Sequence, residues 1–192
     1  MQRLEMYLKA SEIGNEYLRN SKEDKEQVLK EIKNESLFQV TLRLHLYIER
    51  ELNMILSEIN LDYKNIHNNK FKTKLDTLYK LGIVDKNLYD VITRLNLIRN
   101  EFAHEIDNKE DGELYKKLLD GASGFVLENH KIDVKMKGLI EKKELPTSYK
   151  FKILLVNIWI HLKTISTNMN KVKLDIAKRL EDEVRKKIIE LE

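Results

Sequence analysis

The sequence predicts an all-α protein, a bundle of helices forming one domain over residues 1–192. Three observations carry this. One proline and six glycines in 192 residues leave long stretches free of the residues that punctuate turns and sheets. Apolar residues recur at steps of three and four through most of the chain, the repeat of helices that bury one face. Charged residues make up 35% of the chain, which suits the solvated faces of such helices.

In chain order, residues 1–34 hold two helices outside the core. The first runs over 2–20 with Leu4, Met6, Tyr7, Leu8, Ile13, Tyr17 and Leu18 as its apolar positions. Ser21 before Lys22-Glu23-Asp24 reads as a fresh N-cap with acids in the first turn, and a thin amphipathic helix follows to about Lys33. The core of the bundle spans 35–167. Its first helix, Glu35 to Ile59, is apolar on more than one face and is expected to be central. His45 and Glu49 sit one turn apart on it, as a mutually satisfied pair or as support for a functional site. Asn60 to Asn69 is a polar loop. The next helix, 70–81, ends at Gly82, a C′ glycine. Lys64, Lys70, Lys72, Lys74 and Lys80 against Asp76, with Phe71 and Tyr79 among them, make this stretch locally basic. Such a stretch suits phosphate and base-stacking contacts with RNA, but lysines solvated beside core aromatics are the commoner arrangement.

Asp85 then caps a long helix, 85–107, in which Leu88, Val91, Ile92, Leu95, Ile98 and Phe102 repeat at three and four. A short helix, Glu113–Leu119, precedes the break at Asp120–Gly124. In residues 125–136, Ile132, Val134 and Met136 alternate with charges, the one local strand signal, which allows a hairpin or extended excursion there. Pro146 and Thr147 open a strongly apolar core helix that runs to about Thr167 and carries His161. Residues 168–192 form a last helix with Leu174, Ala177, Leu180, Val184, Ile188 and Leu191 on one stripe, docked on the bundle or used for dimerisation.

Composition narrows the function classes. The absence of cysteine excludes disulfides, iron–sulfur clusters and zinc–thiolate sites. A net charge of +3 is too small to argue for nucleic-acid binding from bulk electrostatics. The charged N-terminus lacks the apolar core of a signal peptide, and the apolar stretch Ile153 to Ile160 is too short to span a bilayer, so a cytoplasmic protein with no membrane partner is expected. There is no HExxH pair, carboxylate cluster or glycine-rich phosphate loop, so neither a metal nor a cofactor is expected.

The chemically loaded segment is the end of the 85–107 helix, where Arg99, Asn100 and His104 stand together as R-N-E-F-A-H. Asn100 and His104 are one turn apart on one face. Arg99 and His104 lie roughly 7.5 Å apart along the axis and about 140° apart around it, so they can flank a groove but not easily grip one small group alone. A second copy of the helix across a two-fold axis would double the set. In its wider context, KLDTLYKLGIVDKNLYDVITRLNLIRNEFAH (74–104), the segment resembles the HEPN superfamily, whose active members are metal-independent RNA endonucleases. It is most similar to the branch that includes the mannitol-repressor-like proteins. The resemblance covers roughly residues 37–106, and more faintly a helix around 148–165. It implies a HEPN-like bundle with extra terminal helices, a homodimer with a composite cleft, and Arg99, Asn100 and His104 as catalytic residues. It also implies RNA as substrate and, as biological role, a toxin or phage-defence effector held by an antitoxin or other regulatory partner. Many toxin members carry a tyrosine two residues after the histidine; this chain has Ile106 there and departs from that subgroup.

The residue types suit the reaction. RNA supplies its own nucleophile, the 2′-OH, so cleavage needs a base, an acid and positive charge for the phosphorane. Histidine, with a pKa near 6.5, serves either proton transfer, and arginine clamps phosphate with two parallel donors. Lys70, Lys72, Lys74, Glu49 and His45 are candidate substrate contacts or supports. The alternatives are a non-catalytic regulator of the mannitol-repressor kind and a helical protein-binding module. In either, Arg99 and His104 simply place cations at a helix C-terminus, where the dipole favours them.

Overall fold

A computed structural model describes residues 21–59, 70–104, 111–169 and 181. All regular structure among them is helical: α1 (residues 21–31), α2 (Leu37–Glu58), α3 (Phe71–Lys80), α4 (Lys86–His104), α5 (Asp111–Leu119), α6 (Gly124–Glu141) and α7 (Thr147–Thr167). The helices expected over 2–20 and 170–191, and the loop 60–69, lie outside the described residues. No helix among the described residues is long and apolar enough to cross a membrane.

Local chemistry sets the boundaries. Ser36 accepts from the Gln39 backbone while Gln39 reaches back to the Ser36 backbone, a reciprocal cap that starts α2. Gly82, at φ +68°, ends α3: its N–H bonds Tyr79 O at 2.9 Å and the Ile83 N–H bonds Leu78 O at 3.0 Å, the paired bonds of a Schellman cap. Asp85 Oδ1 accepts from the Leu88 N–H at 2.8 Å and caps α4 as expected. Ser21, expected as an N-cap, is already helical.

The helix surrounded on every side is α7. Residues 151–159 are buried without a break, which requires neighbours all round rather than along one stripe. It packs against α2, α4, α5 and α6. Asn157 and His161 meet α6, whereas Trp159, about half a turn round, meets Tyr47 of α2. Thus α2, expected at the centre, flanks it and leaves Phe38, Leu46 and Met54 exposed. Lys152 of α7 is 5% exposed and donates to the carbonyls of Ile32, Lys33 and Glu35, binding the carbonyls that follow α1 to the core.

The strand signal at 125–136 is overturned: this stretch lies within α6. The alternation of Ile132, Val134 and Met136 misleads because Ile132 and Met136 are exposed. The buried face instead steps by four through Val126, His130 and the half-buried Val134. A hydropathy reading passes over His130, yet it is 2% exposed and lies 2.7 Å from the Tyr115 hydroxyl of α5. Burial drives its pKa down to about 4, with nearby Asp133 opposing and Lys25 and Lys150 reinforcing.

This burial gives a pH test. The unfolded chain binds a proton at His130 below about pH 6.5 and the folded chain only near 4, so stability is full above 6.5 and falls as pH drops through that window. The expected loss is on the order of 3 kcal/mol, measured by urea unfolding at pH 7 and pH 4. In His130→Gln the loss over the same range should shrink; an unchanged pH dependence would place His130 at the surface.

Candidate functional site

The site lies where α2, α3 and α4 meet. Helices α2 and α4 run antiparallel: Phe38 meets Phe102 with ring centroids 5.6 Å apart, and seven residues on, His45 meets Asn96. The His45 Nε2 and Asn96 Oδ1 are 3.0 Å apart, so with the amide oxygen accepting, Nε2 carries the hydrogen. Phe71, first residue of α3, stacks on the other side of His45 at 4.1 Å and 28°. One helix from each direction therefore fixes this ring.

Asn96 begins a stripe on α4. Positions 96, 100 and 104 follow at one-turn intervals, each about 40° from the last. Asn100 is exposed and Arg99 half-buried, and the Arg99 guanidinium donates to Asn100 Oδ1 at 3.1 Å. No carboxylate among the described residues pairs with Arg99. His104 is the last residue of α4, and its side chain lies outside the described residues. The backbone thus puts Asn96, Asn100 and His104 along one edge with Arg99 beside it.

Of the supporting residues expected from sequence, His45 is set beside this edge, and Glu49 and Lys74 lie one turn further along, on the side away from Arg99. His45 lies behind Asn96 and feels the Arg99 charge. Glu49, one turn along α2, accepts a 2.8 Å ion pair from Lys74 of α3. Lys74 is 3% exposed, and an ammonium so buried is tolerable only with its carboxylate in place. Lys72 points elsewhere: its ammonium sits over the Tyr89 ring and bonds the Tyr89 hydroxyl and Asp76. Burial pulls the Lys72 pKa down, but these partners outweigh it and hold it above the usual range. Lys70 is the exposed N-cap residue of α3 and offers no side-chain cap. Lys72 is therefore occupied on the N-terminal half of α4, away from Arg99. Sequence reasoning missed Asn96; its signal was the repeat of polar residues at 96, 100 and 104 on a helix otherwise read for its apolar face. Phe71 is a core aromatic, one of the two readings of its stretch, and the sequence did not show that the ring it packs on is His45.

Electrostatics favour a neutral His45. Burial lowers its pKa most and the Arg99 charge lowers it further, against the Asn96 bond and the Glu49 carboxylate. A neutral ring leaves Arg99 the adjacent cation. Chemically, the edge offers a guanidinium with unspent donors, an amide beside it and a histidine one turn on. That set can grip a phosphate diester and move a proton, but one chain contributes a single His at the edge itself. Among the described residues no three His, Asp or Glu side chains come together as a metal site.

The Arg99–His45 coupling can be read directly. In an NMR pH titration of the His45 ring, Arg99→Gln should raise the His45 pKa and Glu49→Gln should lower it. No response to Arg99→Gln would mean that the two side chains are not neighbours.

Comparisons of the chain with protein-family models, with curated proteins and with solved structures returned no match.

Proposed function

We propose that the protein is a metal-independent endoribonuclease of HEPN type, cleaving RNA through 2′-OH attack at a site composed by two copies of the chain. The observation that carries this reading is Arg99. It is a half-buried guanidinium at a helix edge, held by neutral Asn100, with no carboxylate partner among the described residues. Other half-buried cations among the described residues have one: Arg43 has Glu35, Lys117 has Glu101, and Lys25 has Asp133. Arginine with its fork unspent suits an anionic ligand, and phosphate matches that fork.

In this reading Arg99 clamps the scissile phosphate and stabilises the phosphorane, while Asn100 holds the guanidinium. His104 of one copy takes the 2′-OH proton and His104 of the other protonates the departing 5′-oxygen, leaving a 2′,3′-cyclic phosphate and a 5′-hydroxyl. His45 and Asn96 position the edge from behind. RNA is the substrate, the cytoplasm the expected place, and an antitoxin or trigger the expected control, since such an activity endangers its own cell. A second reading, a regulator or protein-binding bundle without catalysis, draws on the exposed Phe38, Leu46 and Leu97 of α2 and α4, apolar side chains that suit a protein surface.

Purified protein should cleave single-stranded RNA in EDTA. His104→Ala and Arg99→Ala should each slow cleavage by on the order of a hundredfold or more while helix content stays at the wild-type level. Arg99→Lys should restore little, because a point charge lacks the paired donors. Cleavage that persists in His104→Ala overturns the assignment. A wild-type protein that cleaves nothing, yet binds a protein or operator complex equally well with His104→Ala, establishes the second reading.

A further inference from the structure

The outer face of α6 carries an apolar seam of which the bundle uses only the N-terminal end, where the Phe125 ring meets His161 of α7. Phe125, Ile132, Met136, Leu139 and Ile140 are 59%, 58%, 53%, 64% and 70% exposed. With half-buried Asn129 they follow the order 125, 129, 132, 136, 139, alternating steps of four and three. That alternation keeps one line of side chains facing a single partner helix along the 18 residues of α6, roughly 27 Å. The face with Val126, His130 and half-buried Val134, about a third of a turn round, is the one turned to the bundle. Five large apolar side chains so exposed form a patch on the order of several hundred Å², beyond what a monomer surface leaves open without use.

We propose that this seam is a self-association surface, taking α6 of a second copy in antiparallel orientation. Charge sets the choice of occupant. Glu128 lies beside the seam near its N-terminal end, Lys135 near its middle and Lys142 just past its C-terminal end, all three exposed. None of the ion pairs among the described residues uses them. An antiparallel copy brings each Glu128 to the other copy's Lys142 and sets Ile132 and Met136 of the two copies against one another. A parallel copy would leave Glu128 level with Glu128 and Lys142 level with Lys142, the two residue types at opposite ends of the seam, so no such pair could form. Two such patches together reach the ~1,000 Å² that a specific interface needs.

This surface is distinct from the Arg99 edge. Helix α6 packs on the Asn157–His161 side of α7, and α2 on the Trp159 side. The two faces can therefore be occupied at once, and the α6 contact does not depend on the ribonuclease reading. If both are used, the assembly is larger than a dimer.

Sedimentation velocity on the full chain at micromolar concentration tests the proposal. Ile132→Glu, at an exposed position, should keep the helix content and lower the assembly mass twofold or more: to a dimer if the Arg99 edge also pairs, to a monomer if it does not. Glu128→Lys and Lys142→Glu should each weaken association by about threefold or more, and the double reversal on one chain should restore it, because the pairs form between copies. A monomeric wild type overturns the proposal. So does an unchanged mass in Ile132→Glu, including the case where that variant makes the chain ends newly sensitive to protease, which would mean that the chain covers its own seam. Failure of the double reversal to rescue overturns the antiparallel arrangement.

Discussion

The hydrogen bond between His45 and Asn96 is the contact on which the candidate site depends. It joins two helices through residues 51 apart in sequence, and Phe71 of a third helix closes over it. An imidazole or amide left unpaired at this depth costs about 1–3 kcal/mol, so α2, α3 and α4 are held in one register rather than sliding along their apolar faces. That register places Arg99 at the rim beside the ring. The buried Lys74–Glu49 pair works in the same direction from the next turn, since separating it would leave an uncompensated ammonium in the interior.

The charged groups divide into two kinds. Lys152 is spent on carbonyls after α1, Lys25 and Lys137 tie α1 to α6, Lys163 ties it to α7, and Lys72 is absorbed by Tyr89 and Asp76. These interactions assemble the bundle. Arg99 bonds only a neutral amide among the described residues, and beside it burial and its own charge keep His45 neutral. A half-buried cation left with unused donors, where other half-buried lysines and Arg43 have carboxylate partners, is the physical basis for assigning an anion to this edge. On the Asn157–His161 side of α7, α6 presents the complementary case: exposed apolar side chains, and charges that no ion pair among the described residues uses, arranged so that an inverted copy of the same helix satisfies both.

Much of this was legible in the sequence. The all-α class followed from spacing and from the scarcity of breakers, and Asp85, Gly82 and Pro146 marked helix ends because capping is local chemistry. The R-N-E-F-A-H segment was visible as the end of a helix. What failed was tertiary. Alternation at Ile132, Val134 and Met136 imitated a strand because two of these side chains face outward, and only packing identified His130 as part of the inner face. Lysines 70, 72 and 74 looked equivalent along the chain, yet one is buried against Glu49, one lies over Tyr89 and one stays at the surface. Asn96 was marked only by the polar repeat at 96, 100 and 104, and its partner His45 became visible once α2 was laid beside it.

The account makes the RNA itself the source of the nucleophile, with the protein supplying charge and proton transfer. Substrate chemistry therefore tests it more directly than any further substitution in the chain. The measurement is cleavage, in EDTA, of an RNA oligonucleotide carrying a single 2′-deoxy nucleotide at a site that the all-ribose strand loses to the protein, with end-group analysis of the products. The account predicts no cut at the deoxy position, undiminished cuts at neighbouring sites, and fragments ending in 2′,3′-cyclic phosphate and 5′-hydroxyl. Cleavage through the deoxy position, or fragments ending in a 3′-hydroxyl, would contradict it.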